Sequence, residues 1–257
     1  MKSFDAKVVL VTGGSKGIGL ACAQQFVAEG ARVVISSRLQ TNIDNALASL
    51  PGAIGFASDL TDDASASALV QRVEQEVGPI DVLVNSAGAA KRLPPEDLTP
   101  AFWRAAMDAK FFSTINVLDP VVKLMAARGK GVIVNIIGAG GKVAKPIHLA
   151  GGSANAALML ATAGLGNAYA SSGVRVVGVN PGLTETGRVA EGMAADARHS
   201  GITLDAAIQR SVQKIPMGRM AKPEEIADLV LFLASKKASY ITGTTVTMDG
   251  AEHPVVV

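Results

Sequence analysis

Short runs of apolar, often β-branched residues recur along the chain. Between them lie longer stretches in which apolar positions return every three or four residues. The first pattern reads as strand, the second as amphipathic helix. Strands are expected at Lys7–Thr12, Arg32–Ser36, Ile54–Ala57, Asp81–Asn85, Gly131–Ile137, Arg175–Asn180 and Thr244–Met248. They are mostly apolar on both faces, as strands covered by helices on two sides must be. Helices are expected near 17–29, 41–49, 62–77, 100–128, 152–172, 204–213 and 223–235. Strand and helix alternating in this way predict the α/β class, with a doubly wound parallel sheet.

No repeat, low-complexity linker or shift of composition marks a second domain, so all 257 residues are expected to form one. The least regular stretch is Leu183–Pro216. It follows a strand end, where ligands bind in this architecture. Two readings stand side by side, a mobile lid and a plain pair of connecting helices.

Composition narrows the partners. A net charge of +2 gives no bulk attraction to nucleic acid or a membrane surface, and 4% aromatic residues offer no base-stacking platform. No apolar run is long enough to span a bilayer, and the N-terminal Met-Lys-Ser-Phe-Asp-Ala-Lys has no signal-like segment. A cytoplasmic, soluble protein is expected. The single cysteine, Cys22, excludes an intrachain disulfide and sits in an apolar helical pattern, as a buried structural thiol does.

The sharpest local signal is Thr12-Gly13-Gly14-Ser15-Lys16-Gly17-Ile18-Gly19, directly after the first strand and opening the first helix. Gly13 permits a tight turn, Gly17 lets backbone approach a pyrophosphate, and Gly19 lets helix and strand pack closely. The helix N-terminus presents free N–H groups and a positive dipole end to the phosphates. The second strand ends Ser36-Ser37-Arg38, with no carboxylate for the ribose hydroxyls of NAD. Arg38 offers a guanidinium fork for a 2′-phosphate, and Lys16 adds a second charge, so NADP(H) is the expected cofactor.

From here the chain resembles the short-chain dehydrogenase/reductase family over essentially its whole length. The glycine turn has the family's TGxxxGxG spacing. Asp59-Leu60 matches the pair that flanks the adenine. Asn85-Ser86-Ala87-Gly88 is a near copy of the family's NNAG. Asn180-Pro181-Gly182, with Thr184 and Thr186, matches the NPG turn and the threonines that touch the nicotinamide amide and phosphates. Pro216, Gly218-Arg219, Pro223 to Ala227, Phe232 to Ser235, Ile241 to Gly243 and Asp249-Gly250 follow its C-terminal pattern. The resemblance implies a single Rossmann-like domain with a parallel sheet of about seven strands. It also implies a small-molecule substrate and homo-oligomers, dimers or tetramers, paired through the helices near 100–128 and 152–172. The apolar tail Pro254 to Val257 could reach a neighbouring copy or tuck onto its own core.

The family's catalysts are a Ser, a Tyr, a Lys and an assisting Asn, and by alignment each has changed. Gly138 stands for the Ser, Gly151 for the Tyr, Asn155 for the Lys and Lys110 for the Asn. The two tyrosines, Tyr169 and Tyr240, lie elsewhere and fit structural roles. Lys and Asn have traded places, and in the family these side chains face each other across a water. Lys110 therefore either points into the old catalytic site or is a solvent-facing helix lysine. The lost hydroxyl residues sit among Gly138, Gly140, Gly141, Gly151 and Gly152, which empties space beside the nicotinamide for a larger ligand, or simply loosens a loop.

His148, three residues before Gly151, is the best-placed titratable group, with a pKa suited to acid–base work near neutrality. It also reads as an exposed loop residue. Lys142 and Lys145 share the loop and are expected to be solvated. Ser153 has no evident base, His199 and His253 have no evident partners, and no metal-ligand spacing or G-x-S-x-G elbow occurs. Arg188, Arg198 and Arg210 either hint at an acidic ligand or are scattered surface cations. The leading expectation is an NADP(H)-dependent oxidoreductase with a non-standard active site, its catalytic candidates being Lys110, Asn155 and His148. The alternatives are a lyase, hydrolase or isomerase on the same scaffold, or an inactive cofactor-binding subunit. In each, the adenine half of the cofactor keeps its contacts at Lys16, Arg38 and Asp59, while the nicotinamide ribose has lost the Tyr and Lys that grip it.

Overall fold

A computed structural model describes residues 2–88 and 92–255, apart from the side chains of Ala195, Asp196 and His199. Seven strands form one parallel sheet in the order β3-β2-β1-β4-β5-β6-β7. They are β1 (Val8–Thr12), β2 (Arg32–Ser37), β3 (Ile54–Ala57), β4 (Ile80–Asn85), β5 (Gly131–Ile136), β6 (Val174–Pro181) and β7 (Thr245–Met248). The α/β class and the doubly wound sheet are as the hydrophobic pattern predicts. Every residue of β1 is buried, because helices cover both faces. On one face α1 (Gly17–Ala28), α2 (Gln40–Leu47) and α9 (Pro223–Ala234) bury Phe26, Ile43 and Val230 against Val9, Val11 and Val33. On the other, α3 (Asp63–Glu76) and α5 (Ser113–Ala127) pack Val70, Val117 and Val121 against Leu10, Leu83 and Ile133, and Leu165 and Tyr169 of α6 (Leu149–Tyr169) join them.

Local chemistry starts these helices where the sequence directs. Asp62 accepts from the Ala64 amide at 3.1 Å to cap α3. Thr99 accepts from Phe102 at 3.2 Å to cap α4 (Pro100–Met107), with Pro100 at its first position. Strand order reverses between β1 and β4, so a crevice opens at the carboxyl ends of those two strands.

Two expectations are corrected. The single helix expected over 100–128 is α4, a π-turn (Asp108–Phe112) and α5. The helix expected from 152 begins at Leu149, so Gly151 and Gly152 lie inside its first turn. Of the two readings of Leu183–Pro216, the pair of helices is found, as α7 (Gly187–Ser200) and α8 (Leu204–Val212), the second of them where a helix was expected over 204–213.

Candidate active site

One cleft of about 900 Å³ runs along the carboxyl ends of the strands. Gly13, Ser15, Lys16, Gly17 and Ile18 from the glycine turn line it, with Ser36, Ser37 and Arg38 from the end of β2. Asp59 and Leu60 follow, then Ala87, Gly88, Lys110, Gly138, Pro181, Thr186 and Arg188. Of the residues expected to bind the cofactor, Gly19, Asn85, Gly182 and Thr184 do not line the cleft.

The turn is shaped by close backbone approach. Gly13 has φ +64°, and a Cβ there would fall 2.8 Å from the Ala87 nitrogen. A Cβ on Gly19 would collide with the Gly13 carbonyl. The N-cap of α1, Lys16, makes no side-chain cap, which leaves the first amides of that helix open to the cleft. Ser36 has a buried hydroxyl with no partner at the same rim. Free helix amides, an unpaired hydroxyl and the exposed cations of Lys16 and Arg38 are a donor set that fits a phosphorylated dinucleotide. Asp59 is held below its ordinary pKa, first by the Thr61 amide and hydroxyl it accepts from, at 3.0 and 2.8 Å, and last by Arg38.

Beneath the cleft a buried polar chain ties three strands to α6. The Thr12 hydroxyl donates to Asn85 Oδ1 at 3.4 Å and accepts from the Ser86 amide at 3.2 Å. Asn85 Nδ2 donates to Asn135 Oδ1, and Asn135 Nδ2 to Thr162 Oγ1, each at 3.0 Å. All four residues are buried, so these bonds fix the strand ends on which the cleft is built.

Lys110 sits on the π-turn and is only 8% exposed. Its Nζ donates to the carbonyl of Ile136 at 2.8 Å, at the end of β5. Burial first, and the positive charge of Arg188 second, push its pKa down to about 8. The lysine stem passes over Gly88, where a Cβ would meet Lys110 Cδ at 2.9 Å. Of the two orientations open from sequence, the solvent-facing lysine is not the one found.

Asn155 is buried, and its amide lies beside Gly138, where a Cβ would fall 3.1 Å from Nδ2. Gly138 has φ +130°, which disfavours any side chain there. The expectation that the glycines empty space is corrected. A Cβ on Gly152 would lie 2.7 Å from the Gly140 carbonyl, and one on Gly141 would strike Met159 and the backbone of α6. The glycines bring the turn Ala139–Gly141 onto the first turns of α6, so backbone fills the volume, and the cleft ends at Gly138 and Lys110.

The His148 ring packs against Gly140, with its Nδ1 buried and unpartnered. Burial, then the charges of Arg92, Lys145 and Lys110, hold it below the ordinary imidazole value. His148 and Asn155 are not part of the cleft wall. Lys145 is partly exposed to solvent, as expected, and also bonds Glu252 Oε1 at 2.9 Å. One further expectation is corrected, since His253 has a partner: its Nδ1 meets Asp249 Oδ2 at 3.1 Å. His199's side chain and the tail residues Val256 and Val257 lie outside the described residues. Sequence reading gave no weight to Arg188 over Arg198 and Arg210. Only Arg188 reaches the cleft, where its Nη1 donates to the Gly88 carbonyl at 2.7 Å. Among the described residues, no group of His, Cys, Asp and Glu could hold a metal ion, and no helix is long and apolar enough to cross a membrane.

The family model for enoyl-(acyl carrier protein) reductase matches residues 13–251. Cis-4-hydroxycyclohexanecarboxylate dehydrogenase of Sinomonas cyclohexanicum is 34% identical over 253 residues, spanning 97% of each chain. A solved short chain dehydrogenase/reductase family protein is 34% identical with a TM-score of 0.84, over 97% of this chain and 98% of its own. A variant of actinorhodin polyketide ketoreductase, solved with NADPH, is 29% identical with a TM-score of 0.91, over 98% of this chain and 99% of its own. A sheet of this order, a cleft of this make-up and matches that run nearly end to end place the chain in the short-chain dehydrogenase/reductase family of oxidoreductases.

Proposed function

We propose that the chain is an NADP(H)-dependent oxidoreductase whose proton-handling centre is rebuilt around Lys110. The observation that carries this is the buried Lys110 amine, bonded to Ile136 and facing the cleft that the glycine turn and Arg38 also line. In this reading Gly13, Ser15, Lys16, Gly17, Ile18 and Gly19 take the pyrophosphate, and Arg38 with Lys16 takes the 2′-phosphate. Asp59 and Leu60 flank the adenine. Ala87 and Gly88, supported by Asn85, would lie beside the sugar, and Pro181, followed by Gly182 and Thr184, beside the nicotinamide.

Gly138, Gly151, Asn155 and Lys110 are read at the family's Ser, Tyr, Lys and Asn positions. In support, Tyr240 is fully exposed and Tyr169 packs at the far end of α6, so neither phenol lines the cleft. A nicotinamide cofactor bound there would supply a hydride for a carbonyl carbon. Lys110 Nζ holds the proton that the carbonyl oxygen takes up, and Ile136 keeps the amine in place in both protonation states. With its pKa near 8, the amine is mostly protonated at neutral pH and close to the value that favours proton transfer. Asn155 and His148 are positioning residues behind it.

A second reading, an inactive cofactor-binding subunit, draws on the absence of any α6 residue from the cleft wall. NADPH fluorescence followed by NADPH oxidation over a panel of ketones and quinones separates the two. Binding with turnover that drops in Lys110→Met supports the first reading, binding without turnover supports the second, and no binding defeats both. We also propose a homo-oligomer, a dimer or tetramer, paired through α4, α5 and α6. Phe112, Leu124 and Leu160 are exposed there at 44%, 38% and 77%.

A further inference from the structure

We propose that Arg188 and Lys110 form a two-cation receptor for an anionic group on the substrate, so that the carbonyl compound reduced is an oxo acid. The proposal rests on the preceding reading of the site as a carbonyl reductase.

Both side chains converge on Gly88. Arg188 Nη1 donates to its carbonyl at 2.7 Å, and the Lys110 stem lies against its α-carbon. Gly88, with φ +122°, has no side chain to hold them apart. Both line the same cleft. Among the described residues, no carboxylate lies within ion-pair distance of either cation. Glu191 is the acidic group that acts on Arg188, without contact. A buried ammonium beside a guanidinium is unfavourable unless an anion joins them, because buried charges need partners. The amide end of α7, with Gly187 and Arg188 in its first turn, faces the same place and adds positive potential. A planar carboxylate matches the guanidinium fork, and the Lys110 proton is then at hand for the neighbouring carbonyl oxygen. Arg188 is itself exposed, as are Arg198 on α7 and Arg210 on α8, but those two do not line the cleft and take no part.

The same anion chemistry could come from a cofactor phosphate, so the test keeps the two sources apart. Short oxo acids and their methyl esters are compared as substrates of the full chain with NADPH, alongside Arg188→Gln and Arg188→Lys. NADPH affinity is measured separately by fluorescence. We expect kcat/KM for acids to exceed that for esters by about 10-fold or more, the size of one charge-assisted contact. Arg188→Gln brings the ratio below about 3, Arg188→Lys restores part of it, and NADPH affinity changes by less than about 3-fold. A wild-type ratio near one, or a ratio that survives Arg188→Gln, overturns the proposal. If Arg188→Gln instead weakens NADPH binding with the ratio intact, the anion is a cofactor phosphate and the proposal falls. If no carbonyl compound turns over, the reductase reading fails on its own, and thermal stabilisation by the acids and esters, with and without NADPH, decides this one. Stabilisation by acids alone that Arg188→Gln removes upholds the receptor, and its absence overturns it.

Discussion

Lys110 couples the protein's stability to pH in a way that can be worked out from its burial. The amine has an ordinary pKa of 10.5 and one of about 8 in the folded chain. The folded state therefore disfavours the ammonium, and the unfolded chain holds more protons between these values. Stability must rise with pH through that window, because unfolding there takes up a proton. Below the folded value both states are protonated, and the cost is constant at about 3 kcal/mol, taken at about 1.4 kcal/mol per pKa unit. Integrating over both titrations gives a gain of about 2 kcal/mol between about pH 7 and about pH 9.5.

The perturbation is Lys110→Met, which keeps the stem against Gly88 and removes the charge. Losing the bond to Ile136 shifts its absolute stability by an amount independent of pH. Other titrating groups act on both proteins alike. The difference between wild type and variant is thus the clean quantity. Urea unfolding of both at fixed protein concentration, at several pH values across that range, measures it. Wild type should gain on the variant by about 2 kcal/mol. A difference flat to within about 0.5 kcal/mol would show that the amine is solvated in the folded protein, and the reading of the site built on its burial would go with it.

If Arg38 serves only the 2′-phosphate, as proposed, replacing it by Ala should weaken NADPH binding by about 10-fold or more while leaving NADH binding within about 2-fold, as fluorescence titration would show. Gly88→Ala puts a Cβ 2.9 Å from Lys110 Cδ at φ +122°, and should destabilise the protein by about 1–3 kcal/mol in urea and lower turnover. Leu160→Glu should shift the assembly toward a smaller species in light scattering, since Leu160 is 77% exposed on the face proposed to pair. Rebuilding the family's residues as Gly138→Ser, Gly151→Tyr and Asn155→Lys should support ketone reduction with a phenol as proton donor only with Lys110→Asn as well, because two facing ammonium groups repel. The serine carries a further cost, as Gly138 stands at φ +130°.

The sheet was legible because its central strands are buried on both faces. Apolar runs such as Val8–Val11 and Val82–Val84 have no other home in a chain of this kind. The glycine turn was legible because its spacing answers to backbone approach, as Gly13 and Gly19 bear out in the contacts that a Cβ would make. What was hidden depends on tertiary packing. The π-turn at Asp108–Phe112 leaves the helical hydrophobic pattern uninterrupted, so nothing along the chain marks the extra residue that places Lys110. Helix α7 was missed because Gly187–Ser200 is rich in Ala, Gly and charge, and its apolar face is narrow. The helix was expected only from 152, since Gly151 reads as loop by propensity, yet α6 begins at Leu149, and the Gly140 carbonyl lies against Gly152 in its first turn. Arg188 is exposed like Arg198 and Arg210, and nothing along the chain ties it to Gly88, 100 residues away.

The central claim is that proton delivery has moved from a phenol to the Lys110 amine. The pH profile of kcat/KM for NADPH-driven carbonyl reduction, wild type against Lys110→Met, tests it most directly. Wild type should be flat below about pH 8 and fall about tenfold per pH unit above it, while the variant should be slower by about 10² to 10⁴ and lack that limb. A variant that keeps the wild-type rate and the wild-type limb would contradict the account.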